Sequence, residues 1–310
     1  MSIVQPSEIA AAPKRRRRRG TAKVNLGLIS VPMLWLILFF LIPVVLVALY
    51  SVGVLTLISY DKYLSLDLWR YFLGNSTYLG GPLGRGLFWK SMKMSLGVSV
   101  TCVLLAYPVA YMLALVAGRR KYTLLLVIIT PFLTSYLLRV LAWRVLLNPQ
   151  GVIQEVLRGL GVLNADGNVT WLYNSTFAVY LVLAYAWVPF VALPIFVSLE
   201  TLDRRLLEAA SDLGASRLRA FWAVTLPLSI PGVIAAFFFV FVPTLGEFVT
   251  PSLVGGASGY MYGNQIVDLF GAGFPDWETG SVLALFLIGV VVVLTVAFSR
   301  FLQPQQVTAE

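Results

Sequence analysis

Six long apolar runs dominate this chain and restrict it to a fold built in lipid. They cover about residues 26–58, 91–117, 122–147, 176–199, 228–250 and 280–298. Each is near or above the roughly 20 residues that a helix needs to cross a hydrocarbon core of about 30 Å. Charged residues make up only 12% of the chain, too few to cover a soluble protein of this length. The sequence therefore predicts an all-α integral membrane protein with six transmembrane helices.

Lysine and arginine fall mainly on one side of the predicted spans. Fifteen of the twenty-three basic residues lie in the N-terminal stretch or in segments after the second, fourth and sixth runs: Lys14, Arg15–Arg19, Lys23, Arg119, Arg120, Lys121, Arg204, Arg205, Arg217, Arg219 and Arg300. Because cytoplasmic flanks retain positive charge, we predict that both termini are cytoplasmic.

The positions of the apolar runs and of the basic residues also predict the domain organisation. Residues 1–25 form a basic tail that we expect to be disordered, and residues 26–299 form the six-helix domain, with a cytoplasmic loop at 200–227. Residues 300–310 form a C-terminal tail. The Arg15–Arg19 run could contact anionic lipid or nucleic acid, but we interpret it as a topology determinant and expect no nucleic-acid partner.

Several enzyme classes are excluded by residues that the chain lacks. It has no histidine and one cysteine, Cys102, so imidazole metal sites, disulfides and histidine-based triads are ruled out. It also lacks the glycine-rich lysine motif that holds nucleotide phosphates. We expect a non-catalytic chain that binds no cofactor. If it moves a solute against a gradient, the energy comes from an ion or another subunit.

Loop 200–227 carries an organised polar motif between two apolar runs. Leu202, Leu206, Ala210 and Leu213 recur at helical spacing, which predicts a short amphipathic helix. Gly214 suits a left-handed residue that ends this helix. Ser216 can cap a second short helix reaching about Val224, and Pro227 then marks a bend into the fifth span. Such an elbow fits either a groove in a partner protein or a lipid surface.

The spacing in this loop resembles a family signature. Glu208-Ala209-Ala210, three residues, Gly214, nine residues and then Val224-Thr225-Leu226-Pro227 is similar to the signature loop of the permease subunits of binding-protein-dependent ABC importers, with Val224 in place of isoleucine. The resemblance implies a type I importer permease fold. It also implies that Glu208, Ala209, Ala210, Gly214, Leu226 and Pro227 couple the chain to an ATPase.

Four further segments resemble the spermidine/putrescine branch of that family: residues 131–147, 185–196, 207–216 and 243–256. The resemblance implies a bacterial inner-membrane subunit that forms half of a pore, with a second permease chain, two ATPase subunits and a soluble binding protein. A heterodimeric pore is favoured over a homodimeric one. ATP and Mg²⁺ would bind to the ATPase partner, and membrane lipid surrounds the pore. An opine, an amino acid or another amine stays open as the substrate.

A polyamine pathway needs carboxylates and aromatic faces for ammonium groups. Six residues are candidates: Glu247, Tyr136, Trp143, Tyr185, Trp187 and Asp268. Glu247 falls near the outer end of the fifth run, where an ionisable group suggests function but can also be interfacial. The aromatic residues can equally be interfacial anchors, and Asp268 can belong to a solvated acidic loop.

Arg139 and Arg144 lie in the third run and bear a charge that opposes a cation pathway. They are five residues apart, about 140° around a helix, so they cannot face one lumen together. We expect structural roles for both, with Arg139 extending outward to the interface or pairing with an outer carboxylate. The alternative to a permease subunit is a self-sufficient, ion-coupled secondary transporter or channel. It finds little support because the chain shows no evident inverted repeat.

Overall fold

The computed structural model describes residues 30–55, 64–74, 82–161, 170–271 and 275–302. The chain forms two compact units, residues 1–47 and 48–310. The basic tail predicted at residues 1–25 and the C-terminal residues 303–310 lie outside the described residues.

All regular structure in the described residues is helical, which confirms the all-α class. In chain order, the main helices are α1 (Ser30–Ser51), α2 (Asp67–Leu73), α3 (Gly84–Val116), α4 (Lys121–Ile129), α5 (Tyr136–Leu147), α6 (Val152–Gly159), α7 (Thr176–Glu200), α8 (Arg204–Asp212), α9 (Arg217–Leu245), α10 (Tyr262–Gly271) and α11 (Trp277–Leu302).

Five of these helices, α1, α3, α7, α9 and α11, are long and apolar enough to cross a membrane. The described part of the chain reaches six spans when the bent pair of α4 and α5 is counted as one. The predicted runs therefore correspond to real helices. The first predicted run extends past both ends of α1, and of that excess residues 26–29 and 56–58 lie outside the described residues.

The third span is not the single continuous helix that the sequence predicts. The segments Gly118–Leu133 and Tyr136–Gly159 meet at an angle of 77°. Between them Thr134 adopts extended backbone and Ser135 is also non-helical, and the Thr134 hydroxyl donates to the carbonyl of Pro131 at 2.9 Å. Pro131 lacks a backbone donor, and the threonine hydroxyl offers the chain an alternative to helical bonding. Together these residues end the first helical segment and start the second.

The fifth span also differs from its predicted bounds of 228–250. Helix α9 begins at Arg217 and ends at Leu245. Pro227 follows a wide π turn at Phe221–Thr225 and occupies the first turn of the regular helix Leu226–Leu245, and the bend expected at this proline stays a prediction. Proline is tolerated there because the first turn does not need its missing N–H.

The core of the second unit lies where α3, α7 and α9 pack together. Val98, Leu183 and Val240, one from each helix, are fully buried. The Tyr107 hydroxyl on α3 hydrogen-bonds that of Ser229 on α9 at 2.9 Å. Small residues and interhelical hydrogen bonds drive association in lipid, where helices gain no hydrophobic free energy from contact.

Gly232 shows how close α7 and α9 approach. A Cβ atom at this position would lie 2.2 Å from the Cβ of Ser198 and 3.0 Å from the carbonyl oxygen of Pro194. A side chain therefore cannot fit unless the two helices separate.

We predict that Gly232→Val lowers the stability of the purified protein by about 1–3 kcal/mol, the usual cost of overpacking. Gly289→Val is the matched control, because Gly289 is also helical and has no other atom within 4 Å of the added Cβ. The measurement is thermal unfolding in one detergent. Equal midpoints for the two variants would contradict the close packing of α7 and α9.

Candidate functional site

The first candidate site is the elbow in loop 200–227, and its first helix and its corner at Gly214 form as predicted. Asp203 begins α8 by accepting a hydrogen bond from Arg205 N at 3.0 Å. Gly214 ends the turn with φ of +80°, in the left-handed region that favours glycine. Ala215 N then bonds the carbonyl of Ala210 at 3.0 Å, which closes a glycine-type helix end.

The second arm of the elbow differs from the prediction. Ser216 does cap it, accepting from Arg219 N at 3.4 Å. The arm is not a separate short helix, however, because it is the beginning of α9 and continues to Leu245. Leu226 and Pro227 lie in this helix beyond the π turn at Phe221–Thr225, whereas Glu208, Ala209, Ala210 and Gly214 lie in the elbow itself.

The elbow exposes apolar and charged groups together. No residue of α8 is buried. Leu213 at the corner is 89% exposed, and Leu206, Leu218 and Trp222 are also exposed. The carboxylate of Glu208 has no partner among the described residues. The elbow therefore offers a surface that a partner protein or a lipid headgroup layer could cover.

A polar cluster lies at the base of this loop. The Oε1 atom of Glu200, the last residue of α7, accepts from Lys121 Nζ and from the Tyr122 hydroxyl, each at 2.5 Å. These bonds connect the start of α4 to the end of α7, four residues before Arg204. The cluster fixes the point from which α8 departs.

The second candidate site is a cavity of about 300 Å³ in the second unit. It is lined by Tyr136, Arg139, Ala186, Trp187, Phe190 and Glu247. Helix α5 supplies Tyr136 and Arg139, α7 supplies the two aromatic rings and Ala186, and the turn after α9 supplies Glu247. The structure therefore brings together three of the six predicted pathway residues, Glu247, Tyr136 and Trp187.

Glu247 is held by the backbone that follows it. Its Oε1 atom accepts from Val249 N at 2.9 Å and from Thr250 N at 3.0 Å. The Tyr136 hydroxyl bonds the Thr250 hydroxyl at 2.5 Å and adjoins the carboxylate. Glu247 thus caps the chain that leaves α9, and it also presents a charged group to an aromatic-walled cavity.

The position of the Arg139 side chain contradicts the expectation that it extends outward to the interface. Its Nε and Nη1 atoms are buried and have no hydrogen-bond partner among the described residues. The guanidinium lies over the rings of Phe132 and Tyr136, 5.3 and 5.8 Å from their centroids. The outward prediction assumed a straight third span, which the bend at Thr134–Ser135 removes. Arg144, in contrast, is exposed.

Trp143, Tyr185 and Asp268 do not line the cavity. The rings of Trp143 and Tyr185 pack 5.2 Å apart, and Tyr185 also packs on Phe132, so this pair forms a layer behind the arginine. Asp268 lies on α10, where it accepts from the Tyr260 hydroxyl at 2.6 Å. Burial raises the pKa of the Tyr260 phenol, and this bond with Asp268 raises it further.

The described residues contain no group of three or more histidine, cysteine, aspartate or glutamate side chains placed to hold a metal ion.

Two sequence signals could have placed Arg139 beside the cavity. Arg139 lies three residues after Tyr136, on the same helical face, and the polar pair Thr134–Ser135 precedes both residues.

Crossing helices around a charged, aromatic-walled cavity, with a helical elbow at the end of one span, have the organisation of a membrane transport protein. Residues 9–307 match the family described as the binding-protein-dependent transport system inner membrane component. The chain belongs to this family of ABC transporter permeases.

Individual relatives agree with this assignment. The chain is 34% identical over 266 residues to the spermidine/putrescine transport system permease protein PotB of Haemophilus influenzae, covering 86% of this chain and 90% of the relative. It is also 34% identical to PotB of Escherichia coli K12, covering 86% and 93%. The predicted resemblance to this branch is confirmed.

A solved structure of a bacterial ABC transporter that imports the acidic polysaccharide alginate is similar in fold. The TM-score is 0.69, the identity is 15%, and the match covers 92% of this chain and 96% of that chain. The predicted type I importer permease fold is confirmed. The chain is an inner-membrane transport subunit.

Proposed function

We propose that this chain is half of the pore of an ATP-driven importer and that it conducts a polyamine. The relatives named as spermidine/putrescine permeases support the substrate class, because the match spans most of both chains. The observation that carries the proposal within the molecule is Glu247, a carboxylate facing a cavity with three aromatic walls. A carboxylate and aromatic faces are what an ammonium group requires after it loses its water.

The elbow of loop 200–227 is the coupling element of this proposal. Glu208, Ala209, Ala210 and Gly214 form the surface that docks on an ATPase, which holds ATP and Mg²⁺, while Leu226 and Pro227 set the start of the regular helix that receives the motion. Two ATPase subunits, a second and different permease chain, and a soluble binding protein complete the assembly. The exposure of Leu213 supports this protein contact, since a large apolar side chain at the corner gains most from being covered.

The proposal places this elbow and both termini in the cytoplasm, because the basic residues collect on that side.

An amino acid or opine is the alternative substrate class. The Nε and Nη1 donors of Arg139, which have no hydrogen-bond partner among the described residues, favour this alternative because they would bind a substrate carboxylate.

We predict that Gly214→Val abolishes ATP-driven uptake by the assembled transporter while the subunit still inserts. Valine at φ of +80° costs about 1–3 kcal/mol in backbone strain, and the elbow relieves it by reorienting α8. Gly118→Val is the matched control, because Gly118 is also left-handed, at +56°, with no atom within 4 Å of an added Cβ. The measurement is spermidine uptake and ATPase activity in proteoliposomes. Normal uptake by Gly214→Val, or equal loss in both variants, would remove the coupling role.

We predict that Glu247→Gln raises the KM for spermidine uptake about tenfold or more, since a hydrogen bond to a charged group contributes roughly 1.5–3 kcal/mol. Glutamine keeps a carbonyl oxygen for the N–H groups of Val249 and Thr250, so the turn is retained and only the charge is lost. Glu155→Gln, at an exposed position of α6, is the control. The measurement is initial-rate uptake by the assembled transporter. A KM within twofold of the unmodified protein would refute the carboxylate contact.

A further inference from the structure

Two sets of hydrogen bonds hold the turn that carries Glu247. The first set belongs to Glu247 itself, whose Oε1 atom accepts from two backbone N–H groups at 2.9 and 3.0 Å. The second set comes from α10, where Asn264 Nδ2 donates to the Phe248 carbonyl at 3.0 Å and to Ser252 Oγ at 2.7 Å. The backbone of residues 247–252 is therefore fixed by the carboxylate and by one amide side chain.

Asn264 is held in one orientation. Its side chain is buried, and its Oδ1 atom accepts from Met261 N at 3.1 Å. A carbonyl oxygen only accepts and a backbone N–H only donates, so these partners decide which end of the amide faces the turn. Removing the amide would leave buried partners unsatisfied, which costs more than the bonds themselves contribute.

Backbone packing adds to this contact. Gly263 lies against the turn so closely that an added Cβ would meet the carbonyl oxygens of Gly246 and Glu247, each at 2.6 Å. Backbone atoms cannot rotate away as the end of a flexible side chain can. The start of α10 thus packs directly on the peptide groups beside the Glu247 side chain.

The start of α10 is itself anchored on α3, a helix of the core. Lys90 Nζ donates to the carbonyls of Ser258 and Tyr260 at 2.6 and 2.7 Å. The next residue of α3, Ser91, accepts from Tyr262 N at 2.9 Å through its Oγ atom. The segment that leads into α10 is therefore attached to a packed helix, and the hydrogen bonds of α10 to the turn have a fixed base.

We propose that Asn264 is a positioning residue for the substrate contact of Glu247. Asn264 does not line the cavity, so it acts through the turn and not on the substrate. A binding group must be held within about 0.5 Å of its productive position by hydrogen bonds behind it. Asn264 supplies such bonds, and their loss frees the turn and weakens the contact with an ammonium group. This inference rests on the proposed cation contact of Glu247.

The test is a double-mutant cycle on the transporter assembled with its partner subunits in proteoliposomes. Asn264→Ala, Glu247→Gln and the double variant are compared for the KM and maximal rate of spermidine uptake. We expect Asn264→Ala to raise the KM at least fivefold, because the carboxylate is no longer held in place at the cavity. In the Glu247→Gln background, the same change should leave the KM within twofold.

Tyr262→Phe is the matched control. Tyr262 is fully buried in the same helix, and its hydroxyl donates to the Leu283 carbonyl of α11 at 3.3 Å. The substitution removes a buried hydrogen bond near Asn264 but none of the bonds to the Glu247 turn. We expect its KM to stay within twofold of that of the unmodified transporter. An equal rise in KM for Tyr262→Phe and Asn264→Ala would show a general loss of packing and overturn the positioning role.

The cycle separates failure of this inference from failure of the proposed cation contact. If Asn264→Ala leaves the KM unchanged while Glu247→Gln raises it, the positioning role is wrong and the cation contact stands. A rise of the same size in both backgrounds would show that Asn264 does not act through Glu247. If Glu247→Gln itself leaves the KM unchanged, the cation contact fails and the positioning role fails with it.

Asn264→Asp replaces Asn264→Ala if the alanine variant does not assemble. Aspartate keeps the shape of the side chain and the acceptor for Met261 N, but an ionised carboxylate lacks the two Nδ2 donors. We expect the same rise in KM and the same loss of this effect in the Glu247→Gln background. A KM within twofold of the unmodified transporter would overturn the positioning role.

Discussion

A peptide group in hydrocarbon has no water to bind, so every break in a transmembrane helix must be repaired by other groups. Two breaks shape this protein, one at Thr134–Ser135 and one after Leu245. At the first, the Thr134 hydroxyl bonds a carbonyl, and at the second, Glu247 accepts two backbone N–H groups. Tyr136 joins the two breaks through Thr250. Of these groups, Glu247 and Tyr136 also line the cavity.

Helices α7 and α9 connect this cavity to the elbow. Helix α7 carries Trp187 at the cavity and Glu200 at the base of the loop. Helix α9 runs from the elbow at Arg217, through the π turn at Phe221–Thr225, to Leu245, two residues before Glu247. Its 29 residues span about 43 Å at 1.5 Å per residue. Under the proposed function, a displacement of the elbow reaches the carboxylate through this helix.

Sequence patterns predicted what depends on local chemistry and missed what depends on helix direction. Gly214 and Ser216 were identified because a left-handed residue and a cap each have a strong local preference. The bend at Thr134–Ser135 was missed because two polar residues hardly change the hydropathy of a long apolar run. The error then placed Arg139 outside the cavity. Likewise, Arg217 and Arg219 lowered the apparent hydropathy at the start of α9, so its predicted start fell at residue 228.

We propose that this permease relies on separate subunits for energy. The most direct measurement is spermidine uptake into proteoliposomes that contain this chain alone, or this chain with its second permease, ATPase and binding protein. We expect uptake only for the full assembly and only with ATP and Mg²⁺. Uptake by the chain alone, driven by an ion gradient without ATP, would contradict it.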